Sequence, residues 1–200
     1  MNPITHLLVG WTLAEAAGLS RRRDRAVVAL AGIVPDLDGL GIIAEKATLA
    51  AGWSEPLLWW TEYHHVLGHN VGAALFAAGL GAWVAGRGDT PGDRPGWHIG
   101  ALAFLAFHLH LLGDLIGGKG PDGYLWPMPY LLPFFATPEL SWQGAWELNA
   151  WPNIVLTVAL LTLTFRWAWQ RGRSPLELVS TRADASFVQA LRGRFGPPAD

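Results

Sequence analysis

Five apolar stretches, at about residues 5–19, 26–44, 66–86, 97–117 and 151–169, alternate with polar or Gly/Pro-rich links such as "SRRRDR" and "GRGDTPGDRPG". Three of them, "NVGAALFAAGLGAWVAG", "IGALAFLAFHLHLLGDLIGG" and "NIVLTVALLTLTFRWAW", come close to the roughly 20 residues that a spanning helix needs. The first stretch is shorter, and the second carries "PDLD" in its middle. A soluble bundle with long buried helices is the competing architecture. Composition favours the membrane, because a 200-residue chain that is 51% hydrophobic and 15% charged, with 12 Trp, is too apolar for an ordinary soluble domain.

Charge placement separates the two architectures further. If each stretch crosses once and the link after the first faces the cytoplasm, Arg21, Arg22, Arg23, Arg25, Arg87, Arg94, Arg166, Arg171, Arg173, Arg182, Arg192 and Arg194 all fall on the cytoplasmic side. Only Lys46 and Lys119 remain outside, a strong positive-inside bias. Trp53, Trp59, Trp60, Trp126, Trp142, Trp146 and Trp151 then gather near the outer links, as an interfacial aromatic belt does. The expectation is an all-α, multi-pass transmembrane bundle of about four to five helices, N-terminus outside. Residues 1–170 form the membrane domain, and 171–200 form a polar cytoplasmic tail with one short helix near 184–194 and a disordered "GPPAD" end.

A net charge of −2 gives no general basic surface, which argues against nucleic-acid binding. The absence of cysteine excludes disulfides and thiolate ligands, so a bound metal must be held by imidazole and carboxylate. The start, "MNPITHLLVG", lacks the basic region and cleavage site of a signal peptide.

Ionisable residues inside apolar segments are costly and tend to be functional. They occur at His6, at Asp36 and Asp38 in "VPDLDG", in "HHVLGHN", and at His108, His110 and Asp114 in "FHLHLLGD". His110 and Asp114 are four residues apart and share a helical face, a two-ligand edge for a divalent ion. Helical spacing also puts His65 with His69, whereas His64 and His69 differ by roughly 140° on a regular helix. The topology drawn from the arginines used none of these residues, yet it sends all four groups to one outer layer. Bundle cores build metal sites in this way.

At these residues the chain resembles the YdjM-like family of membrane-bound metal-dependent hydrolases, described as LexA-binding and inner-membrane-associated. The resemblance covers about residues 1 to 130 and rests on "TH" in the first helix, "VPDLD" for Leu-Pro-Asp-x-Asp, "HHVLGHN" for His-Arg-Gly-x-Thr-His-Ser, "HLLGD" for His-x-x-x-Asp and "GYLWPM" for Gly-x-x-x-Trp-Pro. It implies His64 and His69 as the paired histidines, with His65 in the place of the family's arginine, and Gly68 and Asn70 in the places of its Thr and Ser.

The resulting expectation is a metal-dependent hydrolase, a phosphoesterase at the outer face of an inner (cytoplasmic) membrane. Its ligands to one or more divalent ions are His6, Asp36, Asp38, His64, His69, His110 and Asp114; zinc is the first choice, with manganese, iron and magnesium as alternatives. Glu62 is the candidate base, His65 a second catalytic or substrate-facing candidate, and Lys119 and Asp122 the candidate contacts for the head of a lipid-linked phosphate. The alternatives are a metal-binding or metal-moving membrane protein, and an interaction protein with a vestigial site whose tail docks a partner.

Overall fold

The computed structural model describes residues 1–87 and 94–198; the middle of "GRGDTPGDRPG" and the last two residues of "GPPAD" lie outside the described residues. The regular elements are all helical apart from a non-helical segment over 118–150, and among the described residues the only β pairing is two isolated bridges, Lys119 with Glu147 and Met128 with Leu140. The elements are α1 (Pro3–Ala16), α2 (Arg22–Ala31), a 3-10 segment (Val34–Leu40), α3 (Gly41–Ala50), α4 (Trp59–Tyr63), α5 (Val71–Gly86), α6 (Gly96–Gly117) and α7 (Trp151–Arg171). A second 3-10 turn (Pro175–Leu178) and α8 (Thr181–Phe195) complete it.

Local sequence sets these boundaries. Asn2 caps α1 by accepting from the Thr5 amide at 2.9 Å, with Pro3 in the first turn, where its missing N–H costs nothing. Pro35 interrupts the second apolar stretch, so α2 and the 3-10/α3 pair form two arms bent by 56°. Asn70 starts α5 by accepting from the Ala73 amide at 2.9 Å. Gly172, at φ 74°, ends α7 in the left-handed conformation.

Helix α6 is the axis of the molecule. Its Ile99, Ala103, Ala106 and Phe107 are fully buried; the first three pack with Ala14, Leu19, Val28 and Ala85 from α1, α2, α5 and the α1–α2 turn. Toward the other end, Phe107 and Leu111 pack on Ala74 and Met128. The α5–α6 crossing is close because it is built on small residues: a Cβ on Gly100 would lie 2.7 Å from the Ala78 carbonyl.

Only one helix among the described residues, Gly96–Gly117, is both long and apolar enough to cross a membrane, and the bent Arg22–Ala31 and Val34–Ala50 pair qualifies only if taken as one span. At 1.5 Å per residue the 14-residue α1 is only about 21 Å long, against a hydrocarbon core of about 30 Å. The all-helical class holds, and among the described residues one helix of the expected four to five is a clear candidate span.

The C-terminal segment contains the expected helix, longer than foreseen at Thr181–Phe195, and it is docked against the bundle. Arg25, buried in α2, donates from Nε to Glu177 Oε1 at 2.7 Å and from Nη2 to Oε2, and lies 3.3 Å from Glu15. Glu15, also buried, is further paired with Arg171 (2.9 Å) and Arg173 (2.5 Å). Glu15, the one acid visible in this half of the apolar sequence, is thus part of a buried charge network that ties α1, α2, α7 and the tail together. Burial alone would raise the Glu177 carboxyl, but the Arg25 guanidinium and the Trp11 indole N–H, 3.1 Å away, outweigh it and hold the group below its ordinary value.

Candidate metal centre

At the opposite end of α1 from Glu15, four residues from three elements converge. Asp36 comes from the 3-10 segment, His69 from the link before α5, and His110 and Asp114 from successive turns of α6; one ligand atom from each lies within 4.8 Å of the others. His69, His110 and Asp114 are buried. The Asp114 Oδ2 lies 3.0 Å from His110 Nε2 and 3.4 Å from His69 Nε2, the two Nε2 atoms are 3.3 Å apart, and Asp36 Oδ1 is 3.7 Å from His110 Nε2. A tetrahedral ion bound at about 2.0–2.2 Å separates its ligand atoms by roughly 3.3–3.6 Å, close to these spacings.

The surrounding hydrogen bonds aim these rings. His110 Nδ1 bonds the Gly32 carbonyl at 2.9 Å, and His69 Nδ1 faces Asp38 Oδ2 at 3.3 Å. Both Nδ1 atoms face acceptors, which leaves the Nε2 atom of each ring as the one turned toward the other ring and toward the carboxylates. Two carboxylates and two imidazole nitrogens this close need positive charge among them, which protons on the rings or a bound cation can supply. Asp36 Oδ2, buried and without a hydrogen-bond partner, adds a second free acceptor at the same place.

The link that supplies His69 is not helical. His64 is the extended residue that ends α4, His65 has φ 69°, and helix resumes only at Val71. The helical-face pairing of His65 with His69 is therefore corrected, since no regular helix joins them. Asp38 joins His64 and His69 instead: its Oδ1 lies 3.0 Å from His64 Nδ1, while Oδ2 accepts from the Gly68 amide at 2.9 Å besides facing His69. Gly68 allows this approach, since a Cβ there would fall 2.3 Å from the Pro35 carbonyl oxygen. Asn70 closes the link by donating to the Val66 and Leu67 carbonyls at 2.9 and 3.0 Å.

Of the seven expected ligands, the structure thus brings Asp36, His69, His110 and Asp114 together and places the other three around them. His6 stacks on His110 with ring centroids 3.7 Å apart, and its Nε2 lies 3.0 Å from Asp114 Oδ1, which also contacts the Met1 amino group. Asp38 and His64 lie behind His69. The remaining candidates stand apart: Glu62 and Asp122 are exposed, and neither they nor Lys119 line the cavity that reaches Asp36 and Asp114. His108 points elsewhere, bonding the Phe104 carbonyl (2.8 Å) and the Tyr130 hydroxyl (2.9 Å), and so anchors the 118–150 region to α6. The cavity, of about 460 Å³, has Asp36, Asp114, His64 and His65 on its lining, and Trp60, Trp126, Leu40, Pro121 and Leu148 among its apolar walls.

Sequence reasoning missed the supports. The Gly32 carbonyl that orients His110 has no signal in residue type, whereas the stacking of Trp60 on His64 at 3.8 Å has one in their four-residue spacing, about one helical turn at the end of α4.

The family model described as "YdjM inner membrane protein" matches residues 1–175. The chain belongs to this family. The match extends the motif resemblance past residue 130 to α7 and the first residues of the tail, including Arg171 and Arg173 of the charge network. No curated protein and no solved structure matches the chain.

Proposed function

We propose that this member of the YdjM family is a metal-dependent hydrolase of the inner membrane, with Asp36, His69, His110 and Asp114 holding a divalent ion. The observation that supports it is the convergence of two oriented imidazole Nε2 atoms and two carboxylates, each with a ligand atom within 4.8 Å of the others. A divalent ion held there supplies polarisation of a scissile phosphoryl or acyl bond and acidifies a water. Zinc suits the N/O donor set best, with manganese, iron or magnesium as alternatives.

The chain's own residues do the rest. Asp38 and the Gly32 carbonyl fix the tautomers and angles of His69 and His110, and His6 holds Asp114 through its outer oxygen. The apolar walls of Trp60, Trp126 and Leu40 exclude bulk water and accept the less polar part of an amphiphile. A lipid-linked phosphate is the substrate class that suits an acid- and histidine-lined floor under such walls. Large apolar side chains left exposed on α5 and α7, Phe76, Trp83, Ile154, Val155, Val158 and Phe165 among them, suit a lipid-facing surface and a multi-pass arrangement with the site toward the non-cytoplasmic side. An ion pathway is less well supported, because Glu15 at the other end is occupied by three arginines.

The test is hydrolysis of a phosphatidic acid and of a soluble phosphomonoester by protein purified in detergent, with and without a chelator. Metal-dependent phosphate release from the lipid, absent in His110→Ala, is expected; equal release in wild type and variant refutes the assignment.

A further inference from the structure

His65 is the histidine of this site that the proposed chemistry leaves unused. It is buried (7% exposed) and lines the cavity, yet its Nδ1 has no hydrogen-bond partner. Its neighbours are rings: His64 at 4.1 Å, His69 at 4.2 Å and Trp126 at 5.2 Å between centroids. By contrast, His6, His64, His69 and His110 each have a polar partner. His65 is also the one non-glycine residue with positive φ, 69°, among the described residues. A side chain with a Cβ is strained there, and an unpaired buried nitrogen is costly. Two penalties fall on one residue, and no side-chain hydrogen bond among the described residues offsets them. Strain of this kind collects at ligand-binding positions.

The ring stands between His69 and Trp126, and no side-chain hydrogen bond among the described residues holds it, so it can turn about its Cβ–Cγ bond toward a ligand. A divalent ion at the cavity floor draws an anionic group, and a neutral imidazole N–H is a donor suited to one of its oxygens. We propose that His65 binds the substrate, donating a hydrogen bond to a phosphoryl oxygen of the ligand's polar head. The assignment deepens the hydrolase reading and rests on it for the identity of the anion. The head can come from a lipid, as the exposed apolar Leu40 and Leu148 of the cavity lining suggest, or from a free phosphate.

The test compares wild type, His65→Gly and His65→Asn as full-length protein in detergent. Metal content, thermal midpoint and calorimetric binding of two probes, inorganic phosphate and short-chain phosphatidic acid, are measured on the same samples. Glycine relieves the positive φ, so His65→Gly is expected to unfold no lower than wild type and to keep its metal. Both probes are expected to bind about tenfold more weakly, the loss of one hydrogen bond to a charged group. Asparagine tolerates the same backbone and keeps a donor, so His65→Asn should recover part of the affinity. A lowered midpoint with unchanged affinity would make His65 a packing residue and overturn the proposal. Weakening of the lipid probe alone would place the ring against the glycerol or acyl part and overturn the oxyanion assignment. If no sample holds metal while both probes still weaken in His65→Gly, the hydrolase reading fails and the His65 assignment stands.

Discussion

Asp38→Asn is the perturbation that most sharply separates a ligand from its support. The expectation from sequence counts Asp38 with the metal ligands, whereas the structure has its Oδ2 behind His69, 3.3 Å from Nδ1 and on the far side of the ring from the Nε2 that joins the four-atom group. Asparagine keeps the volume and one acceptor, so the Gly68 amide can remain satisfied, but the carboxylate that faces both His64 and His69 is lost. Loss of a carboxylate behind a ligating histidine lowers metal affinity about 10- to 100-fold, or about 1.4–2.8 kcal/mol. The assay is a competitive titration against a chromophoric chelator, with metal content measured at saturation. The expected result is full stoichiometry at high metal with a weakened Kd. Complete loss of metal at saturation would make Asp38 a ligand and refute the geometry argued above; an unchanged Kd would refute its supporting role.

Three further outcomes follow from the same contacts. Gly68→Ala should lose metal and stability together, because its Cβ, 2.3 Å from the Pro35 carbonyl oxygen, forces the His64–His69 link off the 3-10 segment; elemental analysis and a thermal melt check it. Arg25→Met should destabilise the fold by about 3–5 kcal/mol, since it leaves Glu177 buried without its guanidinium, and should expose the 172–180 link to protease while leaving metal content intact. The Glu177 carboxyl is depressed in the fold, so the unfolded chain binds more protons between the two values and stability rises with pH there. Its contribution is present above the ordinary 4.5 and is lost as pH falls below that toward the folded value; thermal midpoints between pH 7 and 3 should drop more steeply in wild type than in Glu177→Gln.

Residue spacing made part of this centre legible in advance. His110 and Asp114 are one turn apart on a regular helix, so their shared face could be read directly, and Pro35 announced the break that lets Asp36 reach them. Asp36 and Asp38 could not be told apart, because which of two carboxylates in a 3-10 turn faces the α6 ligands depends on the packing of Gly68 against Pro35. The histidine cluster was misread for a related reason: periodicity assumes a continuous helix, and the left-handed backbone at His65 ends that assumption at one residue. Charge counting sent Arg25 and Arg171 to the cytoplasmic side but gave no sign that both pair with Glu15, across more than a hundred residues of sequence or a helix–helix contact that no local pattern encodes. Hydropathy likewise saw apolar stretches but not how far each would stay helical, which is why α1 and the broken second stretch came out shorter than a single crossing.

Elemental mass spectrometry of untagged protein purified in detergent, comparing wild type with Asp36→Ala and His110→Ala, tests the central claim most directly. Near-stoichiometric divalent metal in wild type, lost in both variants, is the result expected if the 3-10 segment and α6 contribute to one site. Wild-type protein that takes up no ion after incubation with zinc, manganese, iron or magnesium would contradict it, and would leave the buried imidazoles and carboxylates as a hydrogen-bonded network that stabilises the bundle.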